Sequence, residues 1–569
     1  MEIRSFDTAL GTVELGALTV LVGPNNVGKS RTLRDMLSLL VHGDRRDTVI
    51  VRDLTLEVPT SPSARFHGVR VETSETNKAH RTLYGVNATW SEPLQRSVSE
   101  QDHKRLVETP SENLDDSLVR RWLTQFRVSH LDGSSRLRAV EATPSHDANE
   151  EQAGNLLQAF FERPEVQNDL CAAFVSAFGM QVRLDISGMK NLRLRVAKDF
   201  GSLDPDPRLH RGDISRFPDI DTQGDGYKSF AGVVLALLLS KHRVCLLDEP
   251  EAFLHPAQAR QLGAWISDHS ADLSAQIIMA THNVHFLGGL LGGSSDVDIF
   301  RLDRLEDRTS FRLVTSRATH DLTQSPLLSS QPIMEGVFHD GVVVCEGDTD
   351  RSFYQAVAMR ERAVSDVLFV HAQSKHGLHK AASLMREAAI PVACIADIDI
   401  LNDETVLQRT VRGLAPHEDH GALLGHRQEL ARLIGATDEP TALADVRAAL
   451  AQVIEEMDRD ELPITSVRSR LNAVAKTTSK WQRIKESGLA RLDPDVRDAA
   501  ERCLQASAAV GLFIVPVGEL EGWIPSDIGR GRKAERFVEA MEKINAGDCP
   551  AELREFVAEV RAFVVQVVD

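Results

Sequence analysis

The chain is short of cysteine, of aromatic residues and of positive charge, and each shortage narrows what it can be. Its six cysteines, at 171, 245, 345, 394, 503 and 549, include no C-x-x-C pair. That argues against a disulfide framework or a zinc site and fits a reducing compartment. The longest apolar run, around Val233–Leu239, falls far short of the ~20 residues a membrane helix needs. The start, MEIRSFDTAL, lacks the basic-then-apolar layout of a leader, so the sequence reads as a cytoplasmic protein. With aromatics at 5%, its cores must be largely aliphatic. A formal net charge of −18 excludes a broad basic face that coats itself with DNA. Any phosphate contact has to be focused in a local positive groove or made through bound cations.

What is present is 569 residues with 42% hydrophobic and 26% charged side chains, enough for two to four domains with sizeable cores. The order of elements predicts α/β architecture in two parts, residues 1–325 and 335–569, joined by the polar, proline-containing stretch 321–334. Leu18–Val22 reads as a strand, Gly23–Gly28 as a loop and Thr32–Leu40 as a helix. Apolar positions at helical spacing between 155 and 180 predict a helical insertion at about 150–200. It reads either as a dimerisation element or as helices covering a sheet. A loop at Gly224–Gly226, a helix over Phe230–Leu239, strands at Val244–Leu247, Ile277–Met279 and Asp298–Leu302, and a helix from Pro256 complete the first part. In the second, strands are expected at Val342–Cys345, Val367–Val370, Val392–Ala396 and Leu512–Val517, with a last helix over Ala551–Val568.

Gly23-Pro24-Asn25-Asn26-Val27-Gly28-Lys29-Ser30 matches G-x-x-x-x-G-K-[ST] between a strand and a helix. Such a loop curls backbone N–H groups around a phosphate at a helix N-terminus. Gly23, Asn25, Asn26, Gly28, Lys29, Ser30 and Arg31 are therefore candidate ATP contacts, with Lys29 reaching the β/γ-phosphates and Ser30 ligating Mg²⁺. Val244–Leu247 runs into Asp248-Glu249-Pro250. Asp248 would support the same Mg²⁺ and Glu249 would polarise the attacking water. The strand Ile277–Met279 ends in Ala280-Thr281-His282, which places His282 to sense the γ-phosphate. Together these segments resemble the ABC-type ATPases, specifically the RecF and SMC-like branch. Leu254-His255-Pro256 is similar to that branch's D-loop. The resemblance implies two heads sandwiching two nucleotides, with Gly224-Asp225-Gly226-Tyr227-Lys228-Ser229 at the signature position, although it departs from Ser-Gly-Gly. Gln125 and Asp132–Arg136 are the candidates for the Q-loop.

In the second part, three predicted strands end in carboxylates: Glu346 with Asp348 and Asp350, Asp397 with Asp399, and Glu519 with Glu521. Ligands of parallel sheets gather at carboxyl strand ends, where clustered carboxylates repel unless cations lie between them. Acids also cap helix N-termini; three such ends favour Mg²⁺ or Mn²⁺, two ions activating a water and stabilising a leaving oxygen. Glu346, Asp350, Asp397, Asp399, Glu519 and Glu521 are the candidate ligands. An extended Asp397-Ile398-Asp399 would send both acids the same way.

Glu346 followed by the later D-x-D resembles the Toprim fold, here a C-terminal Rossmann-like α/β domain. An ABC-type head followed by Toprim resembles the OLD (overcoming lysogenization defect) family, and the Gabija nuclease-ATPase subunit is similar in layout. The resemblance implies an ATP-regulated, two-metal DNA endonuclease, assembled as a homodimer or higher even oligomer through the ATPase domain. It further implies a role against phage or foreign DNA, an accessory protein, and a lysine near the scissile phosphate, for which Lys480, Lys485 and Lys533 are candidates. Basic stretches at 468–491 and 530–536 read as solvated helix faces or as DNA-backbone contacts, and Ser374–Gly377 as another phosphate contact. The rival reading is a repair-type ATPase whose Toprim half binds DNA without cleaving it.

Overall fold

The computed structural model describes residues 1–569 apart from 44–45, 74–78, 149, 205–208, 210–212, 295, 316–333, 361–365, 437–438, 459–465, 469, 472–480, 482–483, 486–487, 525–532 and 567–569. The side chains of 439–445, 458 and 533–534 are likewise outside the description. The chain divides into two compact units, Met1–Thr323 and Gln324–Asp569. Nearly all of the predicted linker, 321–334, lies outside the described residues.

The first unit is built on a six-stranded sheet in the order 308–313, 298–305, 18–22, 276–280, 244–248, 128–131. All neighbours are parallel except the edge hairpin formed by 298–305 and 308–313. The strands Leu18–Val22, Val244–Asp248 and Gln276–Ala280 are buried at every position. Continuous apolar runs of this kind suit a parallel sheet covered on both faces. Their carboxyl ends release the phosphate loop, the Asp248-Glu249 pair and the Thr281-His282 pair onto one edge, as the motif order requires.

The segment read as a helical insertion is helical only in its first part. Helices Leu156–Glu162 and Val166–Phe178 are followed by an antiparallel hairpin, Gln181–Asp185 with Asn191–Ala197. The alternation of buried Val182 and Leu184 with half-exposed Gln181 and Arg183 marks that hairpin. The helix Val166–Phe178 docks within the unit. Its Phe174 and Phe178 pack edge-on against Tyr227, with ring centroids 5.2 and 4.5 Å away. Phe178 also meets Phe230 at 5.2 Å.

Two helices carry the loops that follow the site strands. Pro256–Leu273 starts after the Asp248 strand and Val284–Gly292 after the His282 loop. They cross at glycine contacts: a Cβ on Gly263 would strike the Phe286 carbonyl, and one on Gly289 the Arg260 carbonyl.

The second unit has a four-stranded, all-parallel sheet ordered 367–371, 341–345, 392–396, 512–514. The last strand stops at Ile514 rather than Val517, because Pro516 has no N–H to give to a ladder. One face is covered by the helices Asp348–Arg360 and Ala551–Gln566, which bury Phe353, Tyr354 and Val357 against Val557, Val560 and Val564. Among the described residues, no helix is long and apolar enough to cross a membrane.

The glycine crossing makes a direct prediction. Gly289→Val should destabilise the first unit by roughly 1–3 kcal/mol through overpacking, read as a lower denaturant midpoint at unchanged slope. An unchanged midpoint would show that these helices can separate freely.

Candidate active sites

At the first site, Gly23 and Gly28 bracket a loop whose tip exposes Asn25 and Asn26, and the helix Lys29–Val41 begins immediately after it. The Lys29 ammonium folds back onto its own loop, donating to the carbonyls of Gly23 (2.6 Å) and Pro24 (2.7 Å). Burial pulls its pKa down to about 8, against the opposing charges of Glu249 and Asp248. Ser30 Oγ donates to Asp248 Oδ1 at 2.7 Å, so the two residues expected to share a cation already touch. Glu249, in a left-handed backbone conformation with φ of 50°, meets His282 Nδ1 at 2.8 Å. The His282 hydrogen bond lowers the Glu249 pKa, and Glu249 in turn raises that of His282.

Arg31 does not face the loop. It pairs with Asp35 at 2.7 Å and donates to the Asp47 carbonyl. Asp35 also accepts the backbone N–H groups of Val49, Ile50 and Val51. The i, i+4 geometry of the helix places Arg31 on this local bracket. Gln125 is buried and accepts from Arg96 Nε at 2.9 Å. Asp132 caps the helix Gly133–Ala139.

The signature-position segment is not a loop. Gly224 is the N-cap and the helix runs from Asp225 to Leu238, five residues earlier than its apolar spacing suggested. A Cβ on Gly226 would lie 2.9 Å from the Phe253 carbonyl, so the helix start sits close beside the loop after Glu249.

Two buried charged residues back this site: Arg136, at the end of the stretch offered for the Q-loop, and Glu251, to which no separate role was given. Arg136 Nη1 donates to the Asp248 carbonyl at 2.6 Å, and its Nε lies 3.3 Å from Ser229 Oγ. Glu251 accepts from Thr281 Oγ1 at 2.6 Å, and burial pushes its pKa up to about 7. Nothing local marks either charge as buried: Arg136 follows Gly133-Ser134-Ser135 and Glu251 follows Asp248-Glu249-Pro250.

At the second site, the strand ends at 345 and 396 bring Glu346 and Asp397 together: Asp397 N donates to Glu346 Oε1 at 3.0 Å. Asp397 caps a 3₁₀ turn, Ile398–Asn402, that contains Asp399. The two aspartates therefore converge through a helical turn rather than an extended backbone. Lys485 Nζ stands 2.7 Å from Asp397 Oδ2 and 3.4 Å from Asp399 Oδ2. Lys375 Nζ reaches the same Asp399 oxygen at 3.0 Å. Burial works to lower the Lys485 pKa, but Asp397, Asp399 and Glu346 outweigh it and hold the ammonium charged. Burial, then Asp397 and Asp399, push Glu346 up to about 8.

Lys485 arrives by a close backbone approach. Gly518, at φ 97°, lies against the Lys485 carbonyl where a Cβ would collide, and Leu489 N donates to the Pro516 carbonyl at 3.0 Å. Gly518 O in turn accepts from Ile398 N at 3.0 Å. Glu519 stands at the N-cap position of the short turn Leu520–Gly522, which includes Glu521, with no side-chain bond to that turn. Asp350 accepts from Gly347 N at 3.0 Å, and Asp403 caps the helix Glu404–Leu414, the bland role open to acids at strand ends. Lys480 and most of the 468–491 stretch lie outside the described residues. Lys533 starts the helix Lys533–Ala546, but its side chain lies outside the description.

Carboxylate oxygens of this kind fit a hard divalent cation, and Asp399 Oδ1 is buried without a partner. Among the described residues, no three acids, histidines or cysteines already close around an ion position. The two ammonium groups compensate the carboxylates instead.

The Lys29 geometry predicts a pH dependence. Phosphate binding requires the charged ammonium, so from pH 8 upward binding must take up a proton. ATP affinity should then fall by up to about tenfold per pH unit, with buffer-dependent heats in titration calorimetry that vanish in Lys29→Met. A pH-independent affinity between 7 and 9 would show that Lys29 stays charged in the free loop.

Comparison with known proteins matches two segments of the chain to two families. Residues 18–288 match the family described as "AAA domain, putative AbiEii toxin, Type IV TA system". Residues 337–399 match the "Overcoming lysogenization defect protein-like, TOPRIM domain". No curated protein matches the chain. Among solved structures, the SMC head domain from Thermotoga maritima is 15% identical, with a TM-score of 0.29, covering 55% of this chain and 100% of that one. An Smc head with an extended coiled coil bound to the C-terminal domain of ScpA derived from Pyrococcus furiosus is 12% identical, with a TM-score of 0.32, covering 55% and 94%. An SmcHead bound to the C-winged helix domain of ScpA is also 12% identical, with a TM-score of 0.33, covering 56% and 98%. Likenesses this loose carry no weight beside the two family matches. An ATPase domain followed in one chain by an OLD-like Toprim domain gives this protein the ATPase–Toprim layout of the OLD family.

Proposed function

We propose that this chain is an ATP-regulated, divalent-metal-dependent DNA endonuclease. The observation that carries the reading is the meeting of Glu346, Asp397, Asp399 and Lys485 at the carboxyl edge of a parallel sheet. Glu346, Asp397 and Asp399 would hold Mg²⁺ or Mn²⁺, which supply a polarised water and charge neutralisation at a phosphodiester. Lys485, within reach of both aspartates, is placed to bond a phosphate oxygen once those acids are otherwise occupied. Lys375 stands beside it as a second cation for the same substrate.

At the other site, Lys29 would exchange the Gly23 and Pro24 carbonyls for the β/γ-phosphates of ATP, and Ser30 and Asp248 would hold its Mg²⁺. Glu249, kept ionised by His282, would orient the attacking water. The expected assembly is a homodimer or higher even oligomer of the ATPase unit. A role against phage or other foreign DNA, and an accessory partner, follow only from the family layout.

Two substitutions separate the halves. Lys29→Ala should abolish ATP hydrolysis, and unchanged turnover would remove the phosphate-loop assignment. Asp397→Ala should abolish Mg²⁺- or Mn²⁺-dependent cleavage of supercoiled plasmid while leaving ATP hydrolysis within about twofold of wild type. Nicking at the normal rate in that variant would place cleavage elsewhere. DNA binding without cleavage by the wild-type protein under every metal and nucleotide condition would favour the binding-only ATPase.

A further inference from the structure

The first unit carries a positively charged cavity at the end of the sheet opposite the phosphate loop. Arg243 immediately precedes the strand Val244–Asp248. At ~3.3 Å per residue that strand puts Arg243 about 16 Å from the Asp248 edge. The cavity is about 40 Å³ and is lined by His67, Trp90, Glu162, Arg163, Lys241 and Arg243 among others. This exceeds the space one water needs and is far below that of a nucleoside.

Arg243 is only 5% exposed. Its guanidinium lies over the Trp90 ring at 4.5 Å, and Nη1 is 3.5 Å from the Val128 carbonyl. Buried charge is costly unless paired, yet among the described residues no carboxylate forms an ion pair with the buried Arg243, nor with the half-buried Arg163 and exposed Lys241 beside it. Glu162 lines the cavity, but its carboxylate is bonded to His146 Nε2 at 2.8 Å. Burial pulls the Arg243 pKa down to about 10, and Arg127 and Arg163, both of its own sign, add to this against an opposing effect of Cys245. His67 is pulled down to about 4 by burial, then by Arg163, Arg127, His242 and Lys241.

We propose that this cavity is a binding site for a small phosphate-class oxyanion, separate from the ATP site, held by Arg243, Lys241 and Arg163. The bound anion would complete the missing half of the charge balance. It would also tie together three segments that meet there: the turn at His67, the start of the insertion at 152–163 and the lead into the Asp248 strand.

The test uses the full chain carrying Lys29→Ala, so that the phosphate loop contributes nothing. Thermal denaturation is followed at fixed ionic strength with inorganic phosphate or sulfate replacing chloride. Tm should rise with phosphate concentration. Adding Arg163→Gln and Lys241→Gln should move the half-maximal concentration up by about tenfold or more, with Tm in chloride unchanged. If that pair lowers Tm in chloride, Arg163→Gln alone supplies the comparison. No phosphate effect in the Lys29→Ala protein, or an identical effect after the second substitutions, would overturn the site. A 5′-phosphorylated trinucleotide run alongside separates the sources. Stabilisation by it that is lost with Arg163→Gln and Lys241→Gln assigns the site to a terminal phosphate, and stabilisation by the ions alone assigns it to free anions.

Discussion

Carboxylates crowded at the carboxyl end of a parallel sheet repel one another, and the second unit is organised around relieving that repulsion. Glu346, Asp397 and Asp399 come from two adjacent strand ends, so the topology that creates the site also creates the strain. Two ammonium groups, Lys485 and Lys375, meet the aspartates directly, while Glu346 retains its proton up to about pH 8. A divalent cation concentrates more charge in less space than either lysine, so under the proposed function the same acids would form a pre-charged receptor for it. The first unit uses the same device with the sign reversed: the Lys29 ammonium bonds to its own loop's carbonyls.

Delivering Lys485 to that receptor depends on backbone rather than side-chain packing. Gly518 lets the chain at 484–485 lie against the turn that follows the last strand, and the Gly518 carbonyl holds Ile398. One residue thus links the lysine's segment to the D-x-D turn. Any side chain at 518 would both collide and be strained at φ 97°. The distances among Asp397, Asp399 and Lys485 are accordingly fixed by a backbone sandwich.

Much of this was legible because buried parallel strands are continuous apolar runs that end abruptly in polar residues. The phosphate loop, Asp248-Glu249, His282, Glu346 and Asp397-Asp399 all sit at such ends, and all lie at the sheet edges expected of them. Legibility failed where geometry depends on distant segments. Arg31 carried the right charge beside the loop, but Asp35 one helical turn on claims it. Lys375 and Lys485 were each one basic residue among several, and only the tertiary approach of their segments to Asp399 separates them. Gln181–Ala197 was absorbed into a helical insertion because its neighbouring helices dominate the periodicity. The burial of Arg136 and Glu251 was illegible for the same reason: it depends on a strand more than a hundred residues away, or on a loop thirty residues on.

The aromatic contact between the insertion and the signature-position helix has a mechanical consequence. Phe174 and Phe178 grip Tyr227 from one side, while Phe178 also leans on Phe230 a turn further along. These edge-on ring contacts join the helix Val166–Phe178 to the first turns of Asp225–Leu238. The insertion is therefore a handle on the residues nearest the Asp248-Glu249 loop. A displacement of that handle, far along the chain from the phosphate loop, would reach the helix start where Gly226 lies against the Phe253 carbonyl.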